Sequence, residues 1–165
     1  MNRPRMRVGQ GVDSHRLVVG RPLVLGGVPI HHDRGLEGHS DGDVLLHAVA
    51  SALLGAAGHG DLGRHFPSSS HELEGISSRA ILERVIGWVR EEGWEVANVD
   101  ATVVAQEPRL APHSAKMEAM IAATLNVDQG RVNLKLTSTD TLGAIGRGEG
   151  IAASAVALLE QSERR

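Results

Sequence analysis

Two short stretches of the chain carry most of the side chains that could bind a metal ion. Asp13 and His15 stand two positions apart in an extended segment, so their side chains point to the same side and can bind one cation. His47 follows the segment GHSDGD (38–43) inside an apolar helical stretch, where its ring should be largely buried. The three residues together offer one carboxylate and two imidazoles, a ligand set suited to a zinc ion with one open coordination position.

Each part of this pattern also has a simpler interpretation. Asp13 could cap a turn while His15 lies on the surface, because short Asp-x-His motifs are common. A buried His47 needs a partner for each ring nitrogen, and Asp43, one helical turn earlier, could accept from one nitrogen and leave the other for a metal. A His47–Asp43 hydrogen bond without any metal explains this stretch equally well.

The composition excludes several kinds of chemistry. The 165 residues include no cysteine, which excludes disulfides, thiolate zinc sites and cysteine nucleophiles. A net charge of −3, with one Phe, two Trp and no Tyr, argues against nucleic-acid binding. No apolar run is long enough to cross a membrane, and the basic start MNRPRMR lacks the apolar stretch of a signal peptide. We therefore expect a cytoplasmic protein.

A glycine-rich segment near the C-terminus has groups that bind phosphate. The segment TSTDTLGAIGRGEG (137–150) combines Thr and Ser hydroxyls, many backbone amides and Arg147. An ordinary turn with a helix cap at Thr139 is an equal alternative. The loop QEPRLAP (106–112) suits either a nucleotide-binding loop or a plain strand-to-helix connection. GQG (9–11) and LGG (25–27) lack the spacing of a dinucleotide-binding motif or a P-loop.

Apolar periodicity predicts one domain over residues 1–165, built from helices and strands. Strands are predicted at 7–11, 99–105 and 132–139, a hairpin within 22–30, helices at 41–57, 77–92 and 112–125, and a loop at 58–70. Segment 151–160 is ambiguous. Its alanines favour a helix, whereas its shortness and the glycines before it allow a strand.

Five blocks within residues 6–160 resemble the 2-C-methyl-D-erythritol 2,4-cyclodiphosphate synthase family of the non-mevalonate isoprenoid pathway. In order they are VGQGVDSHRL, LGG with an apolar pair after it, HSDGDVLLHAVASALLGAAGHGDLGRHFP, NVDATVVAQEPRLAPH and LGAIGRGEGIAASAVALL. The resemblance implies an α/β (α+β) fold with a mixed β-sheet and helices on one face. It also implies a homotrimer with active sites at subunit interfaces, and a strand at 151–160.

The implied reaction is an intramolecular phosphate attack. The 2-phosphate of 4-diphosphocytidyl-2-C-methyl-D-erythritol 2-phosphate attacks the β-phosphorus and expels CMP, which gives the cyclic diphosphate. The resemblance implies Zn²⁺, or another divalent cation, on Asp13, His15 and His47. It also implies Mg²⁺ or Mn²⁺ bridging the phosphates near Asp140, with His39 and Ser138 as catalytic residues.

The resemblance assigns substrate binding to three groups of residues. They are Asp13 and His15 at the metal, with His39 and Ser40 in a flexible loop near the phosphates; Asp61, Leu62 and Gly63 at the erythritol hydroxyls, with Phe66, Ser68 and Ser70 following them in the chain; and Ala105, Pro108, Arg109, Leu110, Ala111, Thr137, Ser138, Thr139, Asp140 and Arg147 around the cytidine and the phosphates.

The chain departs from the family pattern at several positions. Ser68-Ser69-Ser70 stands where Asp-Thr-Asp is usual, Ser51 replaces an Asp, Gln10 a His, Ser138 a Thr, and Ala144 an aromatic residue that would line a cavity on the trimer axis. The lost acids keep two alternatives open. One is a trimeric zinc- and CMP-binding protein without turnover, and the other is a zinc hydrolase with Asp61 as its base.

Overall fold

The computed structural model describes residues 5–162. The strands are β1 (Met6–Val19), β2 (Leu23–Leu25), β3 (Val28–Ile30), β4 (Arg34–Leu36), β5 (Trp94–Val104), β6 (Val132–Thr137) and β7 (Gly150–Gln161). The helices are α1 (Val44–Ala57), α2 (Leu62–His65), α3 (Ser78–Glu91), α4 (Ser114–Leu125) and α5 (Gly143–Gly146). Short 3₁₀ turns lie at His71–Leu73, Ala111–His113 and Gln129–Arg131.

Five strands form one mixed sheet in the order β4-β1-β7-β5-β6, and β2 and β3 form a separate hairpin. β1 pairs antiparallel with β4 and β7, β7 pairs antiparallel with β5, and β5 pairs parallel with β6. α1 packs on β1 and β7, α4 packs on β6, and α3 packs between α1 and α4. The predicted α/β fold with a mixed sheet and helices on one face is confirmed.

Glycines on β1 allow α1 to lie unusually close to the sheet. A Cβ atom added to Gly9 would lie 2.0 Å from the carbonyl oxygen of Ala52, and one added to Gly11 would lie 2.0 Å from that of Ala48. Any side chain at either position would therefore push the helix away. The GQG motif serves this packing, which explains why it lacks the spacing of a nucleotide-binding motif.

The prediction of a helix over 151–160, which the alanine content favours, is wrong. These residues form most of β7, the central strand of the sheet. Ala153, Ala155 and Ala157 are buried at positions that pair with β1 and β5. Their small side chains leave room for α1, and pairing on both sides outweighs the intrinsic preference of alanine for helix. The strand that the family resemblance implies is the one observed.

Other differences from the predicted elements are smaller. β1 continues to Val19, which places Asp13 and His15 on a strand instead of in a segment after one. The predicted loop at 58–70 contains the one-turn helix α2, capped by Asp61. No helix within residues 5–162 has both the length and the apolar character needed to cross a membrane.

The face of the sheet opposite the helices carries an apolar strip. Met6, Val8 and Val12 on β1 are 63–67 % exposed there, and Val156 on β7 lies beside them. The same face is polar on β5 and β6, where Asp100 accepts hydrogen bonds from Lys135 and from Asn133. Those two bonds lower the pKa of Asp100. An apolar strip of this kind is typical of a surface that a partner covers.

Asp43 joins the β2–β3 hairpin to the start of α1. It is fully buried, and its carboxylate accepts from the backbone N–H groups of Gly26 (2.9 Å), Gly27 (2.6 Å) and Leu46 (3.1 Å). Burial raises its pKa to about 6 from 3.8, although these three donors oppose the shift. Ionisation of Asp43 therefore opposes folding, and this cost is absent at low pH and complete above about pH 6.

We expect Asp43→Ala to lower the free energy of unfolding by about 2–4 kcal/mol, because three N–H groups, two of them buried, lose their acceptor. Urea unfolding at pH 7 would measure the change. Asp128→Ala is the matched control, since Asp128 is exposed and caps nothing with its side chain. Equal stability of the two variants would show that Asp43 does not hold the hairpin to α1.

Candidate metal centre and active site

Three side chains meet where β1 faces α1. Oδ2 of Asp13 lies 2.9 Å from Nε2 of His15 and 2.9 Å from Nδ1 of His47, and the two ring nitrogens are 3.3 Å apart. Bonds of 2.0–2.2 Å to a tetrahedral zinc ion place ligand atoms about 3.3–3.6 Å from one another, so the two contacts of Asp13 need to lengthen by only a few tenths of an ångström. The three donors therefore fit one divalent cation, and the ligands proposed from the sequence are brought together.

The charges in this cluster depend on one another. Partial burial alone would raise the pKa of Asp13, but hydrogen bonds with His15 and His47 and the charges of these rings hold it well below its usual range. The hydrogen bond to Asp13 raises the pKa of His15 despite its burial. A proton thus competes with a cation for the nitrogen of His15, so metal affinity should fall as the pH falls.

The second ring nitrogen of His47 faces hydroxyl groups. Its Nε2 lies 2.9 Å from Oγ of Ser78 and 3.1 Å from Oγ of Ser40, and the Ser78 hydroxyl donates to the carboxylate of Asp41. The suggestion that Asp43 accepts from the His47 ring is wrong, because the Asp43 carboxylate is turned toward backbone N–H groups. Sequence reasoning missed Ser78, and it gave Asp41 no role.

A cavity of about 190 Å³ opens beside the metal-binding side chains. It is lined by His15, His39, Ser40, His47, Leu62, Phe66, Ser68, Leu73, Ile76 and Ile81. Five residues predicted to bind substrate beyond the triad, His39, Ser40, Leu62, Phe66 and Ser68, are among them. Leu62, Phe66 and Ser68 thus share one cavity with the two histidines of the triad, while Asp13 is not part of its lining.

The remaining residues predicted for this region lie outside the lining. His39 donates from Nε2 to the carbonyl oxygen of Ser70 at 3.0 Å, so Ser70 contacts a residue of the cavity lining through its main chain and not through its side chain. Asp61 accepts from the N–H of Arg64 at 2.9 Å and caps α2, and Gly63 lies within that helix. Neither Asp61 nor Gly63 lines the cavity.

A second cavity, of about 310 Å³, lies where the parallel strands β5 and β6 end. Its lining is Ala105, Gln106, Pro108, Arg109, Leu110, Ala111, Leu136, Thr137 and Ser138, which includes every residue predicted from Ala105 to Ala111. The carboxyl ends of parallel strands are a usual place for ligands in open sheets. Gln106, which the sequence analysis placed in the loop without a role of its own, lines the cavity, and its side-chain oxygen accepts from the N–H of Thr141.

The turn after β6 borders this cavity. Ser138 donates from Oγ to Oδ1 of Asp140 at 3.1 Å, and Thr139 donates from Oγ1 to the carbonyl oxygen of Leu142. Leu142, not Thr139, is the cap of α5. Arg147 is exposed, pairs with Glu149 and lines neither cavity. Thr139 and Asp140 also lie outside the second lining, so their roles in binding stay predictions.

The sheet register relates the two cavities. His15 pairs with Ile151 of β7, and Val104, at the end of β5, pairs with the next residue, Ala152. β7 is the only strand between β1 and β5 in the described sheet, so these two positions are about 10 Å apart at usual strand spacing. Both cavities therefore lie at the same end of the sheet.

Comparison with known proteins agrees with this arrangement. Residues 6–160 match the YgbB family. The 2-C-methyl-D-erythritol 2,4-cyclodiphosphate synthase of Thiobacillus denitrificans is 57 % identical over 156 residues, which cover 94 % of this chain and 98 % of that protein. The protein of the same name from Geobacter sulfurreducens is 53 % identical over 156 residues, covering 94 % of this chain and 99 % of that protein.

Solved structures agree as well. IspF of Plasmodium falciparum, solved as a CDP complex, has a TM-score of 0.84 at 30 % identity and covers 96 % of this chain and 97 % of that one. The bifunctional IspDF of Campylobacter jejuni has a TM-score of 0.91 at 42 % identity and covers 94 % of this chain, which matches 42 % of that longer protein. The chain therefore belongs to the YgbB family, whose members named here are 2-C-methyl-D-erythritol 2,4-cyclodiphosphate synthases.

Proposed function

We propose that this chain converts 4-diphosphocytidyl-2-C-methyl-D-erythritol 2-phosphate into 2-C-methyl-D-erythritol 2,4-cyclodiphosphate and CMP. The observation that carries this proposal is a set of converging divalent-ion ligands at the same end of the sheet as a cavity suited to a nucleotide. Family membership supports it, because the curated relatives carry the name of this enzyme.

The reaction needs no side-chain nucleophile. An oxygen of the 2-phosphate forms a bond to the β-phosphorus, and the bond from that phosphorus to the oxygen shared with the α-phosphorus breaks, so that CMP leaves with that oxygen. The difficulty is to bring two anionic phosphate groups together. The task of the protein is therefore to hold them in line and to stabilise charge.

Metal ligands and polar groups divide this task. Asp13, His15 and His47 would hold Zn²⁺ or another divalent cation, and Asp140 would contact a bridging Mg²⁺ or Mn²⁺. When bound, such cations polarise phosphate oxygens and neutralise negative charge. His39 lies in the lining of the same cavity as His15 and His47, and its Nε2–H, which donates to the carbonyl oxygen of Ser70, would donate to a phosphate oxygen instead when substrate binds.

The second cavity would bind the cytidine diphosphate part. Ala105, Pro108, Arg109, Leu110 and Ala111 would surround the base, and the hydroxyls of Thr137, Ser138 and Thr139 would donate to the diphosphate. Arg147, which is exposed beside this turn, would add a positive charge near the phosphates. The CDP complex of a structural relative supports a ligand of this kind.

A homotrimer with active sites at subunit interfaces is part of the proposal. The apolar strip of Met6, Val8, Val12 and Val156 supports it, because the helices cover only the other face of the sheet. A cytoplasmic location is also part of the proposal. The absence of cysteine supports it, since no disulfide requires an oxidising compartment.

Turnover can be followed directly by phosphorus NMR with the purified protein, its substrate and Mg²⁺. We expect CMP and the cyclic diphosphate to form together, to stop forming after chelation, and to form again when Zn²⁺ and Mg²⁺ are restored. CMP binding without turnover would favour a binding protein without catalytic activity. Free phosphate or a linear product would instead favour a zinc hydrolase with Asp61 as its base.

Metal binding can be tested without substrate. We expect His47→Ala to lose stoichiometric zinc, measured by atomic absorption, because two ligands bind zinc far more weakly than three. His71→Ala is the control, since His71 is exposed outside both cavities. Full zinc content in a folded His47→Ala protein would rule out the proposed ligand set.

Assembly can be tested on the uncovered face of the sheet. We expect Val8→Glu to lower the sedimenting mass from trimer to monomer, because a charge in an apolar interface is costly. Val19→Glu is the control, because Val19 is also exposed on β1 but lies at the end of the strand, away from the apolar strip. An unchanged mass for Val8→Glu, or a monomeric parent protein, contradicts the proposed assembly.

A further inference from the structure

The ring of His47 lies between two carboxylates that act on opposite nitrogens. Oδ2 of Asp13 is 2.9 Å from Nδ1, on the side of the proposed cation. On the other side, Asp41 reaches Nε2 indirectly, through the hydroxyl of the fully buried Ser78. A neutral imidazole has one hydrogen to give, so the two sides compete for it.

The direction of the hydrogen bonds on the Asp41 side follows from elementary chemistry. A carboxylate can only accept, so Ser78 donates its one hydroxyl hydrogen to Asp41. Toward His47 the Ser78 oxygen can then only accept. Nε2 of His47 must therefore donate at 2.9 Å, which leaves the lone pair of the neutral ring on Nδ1.

The Asp41 carboxylate is itself fixed in place. Its Oδ2 accepts from the N–H of Ser78 at 3.0 Å, and its Oδ1 accepts from the N–H of Asp43 at 3.2 Å. These bonds join the segment before α1 to the first residue of α3. Asp41 therefore cannot easily turn away and release the Ser78 hydroxyl.

Asp13 has the opposite effect when no cation is bound. A carboxylate 2.9 Å from Nδ1 favours a proton on that nitrogen. A proton there occupies the lone pair that a cation needs. A group on the far side of the ring that holds the proton on Nε2 therefore favours metal binding by this cluster.

We propose that Asp41, acting through Ser78, is a positioning residue that keeps the proton of His47 on Nε2 and leaves Nδ1 free to bind a cation. This inference rests on the proposed metal site. Ser40 assists as a second acceptor, because its Oγ lies 3.1 Å from the same Nε2. Carboxylates that orient metal-binding histidines in this indirect way commonly affect metal affinity.

Two substitutions disrupt the hydrogen bonds from His47 to Ser78 and from Ser78 to Asp41 in different ways. Ser78→Ala removes the hydroxyl between the carboxylate and the ring. Asp41→Asn can reverse these bonds: when the amide oxygen keeps the N–H of Ser78, the NH₂ group takes the place of Oδ1, gives up the hydrogen bond from the N–H of Asp43, and donates to the Ser78 hydroxyl. Ser78 then turns its hydrogen toward Nε2, and the proton of His47 moves to Nδ1.

Zinc affinity, measured by competition with a chelator, tests the metal side of the inference. We expect Asp41→Asn and Ser78→Ala each to weaken binding by about 10- to 100-fold. The double variant should be no weaker than the weaker single variant, because Asp41 acts through Ser78. Ser77→Ala is the control: it removes the cap of α3 at an adjacent exposed position and should leave zinc affinity unchanged.

The position of the proton can be measured without metal. Nitrogen-15 NMR at about pH 9, above the usual titration range of histidine, distinguishes the two neutral forms of His47. We expect the proton on Nε2 in the parent protein and a shift toward Nδ1 in Asp41→Asn and Ser78→Ala.

Three results would overturn the inference: parent-like zinc affinity in both single variants, losses that multiply in the double variant, or a parent ring with its proton on Nδ1. If the parent protein binds no zinc, the proposed metal site fails, while the NMR result still decides where the proton lies. If the zinc affinities and the proton position are as expected but the parent protein does not convert the substrate, only the proposed function is contradicted.

Discussion

The close contact between α1 and the sheet is the constraint on which the candidate site depends. Gly9 and Gly11 leave no side chain between the middle of β1 and the Ala48–Ala56 part of α1, and the alanines of β7 continue the same surface. His47 lies on the side of α1 that faces β1, so the short separation brings its ring against Asp13 and His15. A wider separation would move one ligand away from the other two. The small residues that pack the core thus also determine the geometry of the metal site.

The short separation between β1 and α1 also makes the charges of Asp13, His15 and His47 depend on one another. Asp13 contacts two imidazoles, which stabilise its charge and hold its pKa low, and in return the hydrogen bond to Asp13 raises the pKa of His15. A cluster with this arrangement binds a proton readily when no cation is present. Selectivity for a cation then depends on groups outside the cluster, and the hydroxyls of Ser40 and Ser78 are the polar groups that face the far nitrogen of His47.

The convergence of Asp13, His15 and His47 and the segments that line the two cavities could be predicted because their signals are local: a two-residue spacing on a strand, a polar residue in an apolar helix, and blocks that resemble a family. The partners of His47 could not, because Ser78 is distant in sequence and nothing near it signals a contact. Asp43 has the helical spacing to reach His47, yet as the cap of α1 its side chain turns back toward Leu46 and the hairpin. The alanines of β7 led to a wrong helix prediction for a related reason, because strand pairing and packing against α1 outweigh the helix propensity of alanine there.

The segment around His39 shows which departures from the family pattern matter chemically. Arg21 donates to the carbonyl oxygens of Gly38 and Ser40, so the main chain on both sides of His39 is held in place. The ring of His39 reaches the loop through the carbonyl oxygen of Ser70, a group that every residue type supplies. Serine in place of an acid at position 70 therefore leaves this hydrogen bond intact. Ser68 is different, because it lines the cavity, and a serine there makes this cavity less negative than a carboxylate would. A less negative cavity attracts a cation less and repels a phosphate anion less, so the serine at position 68 changes the charge of the candidate site, whereas the serine at position 70 leaves the hydrogen bond to His39 unchanged.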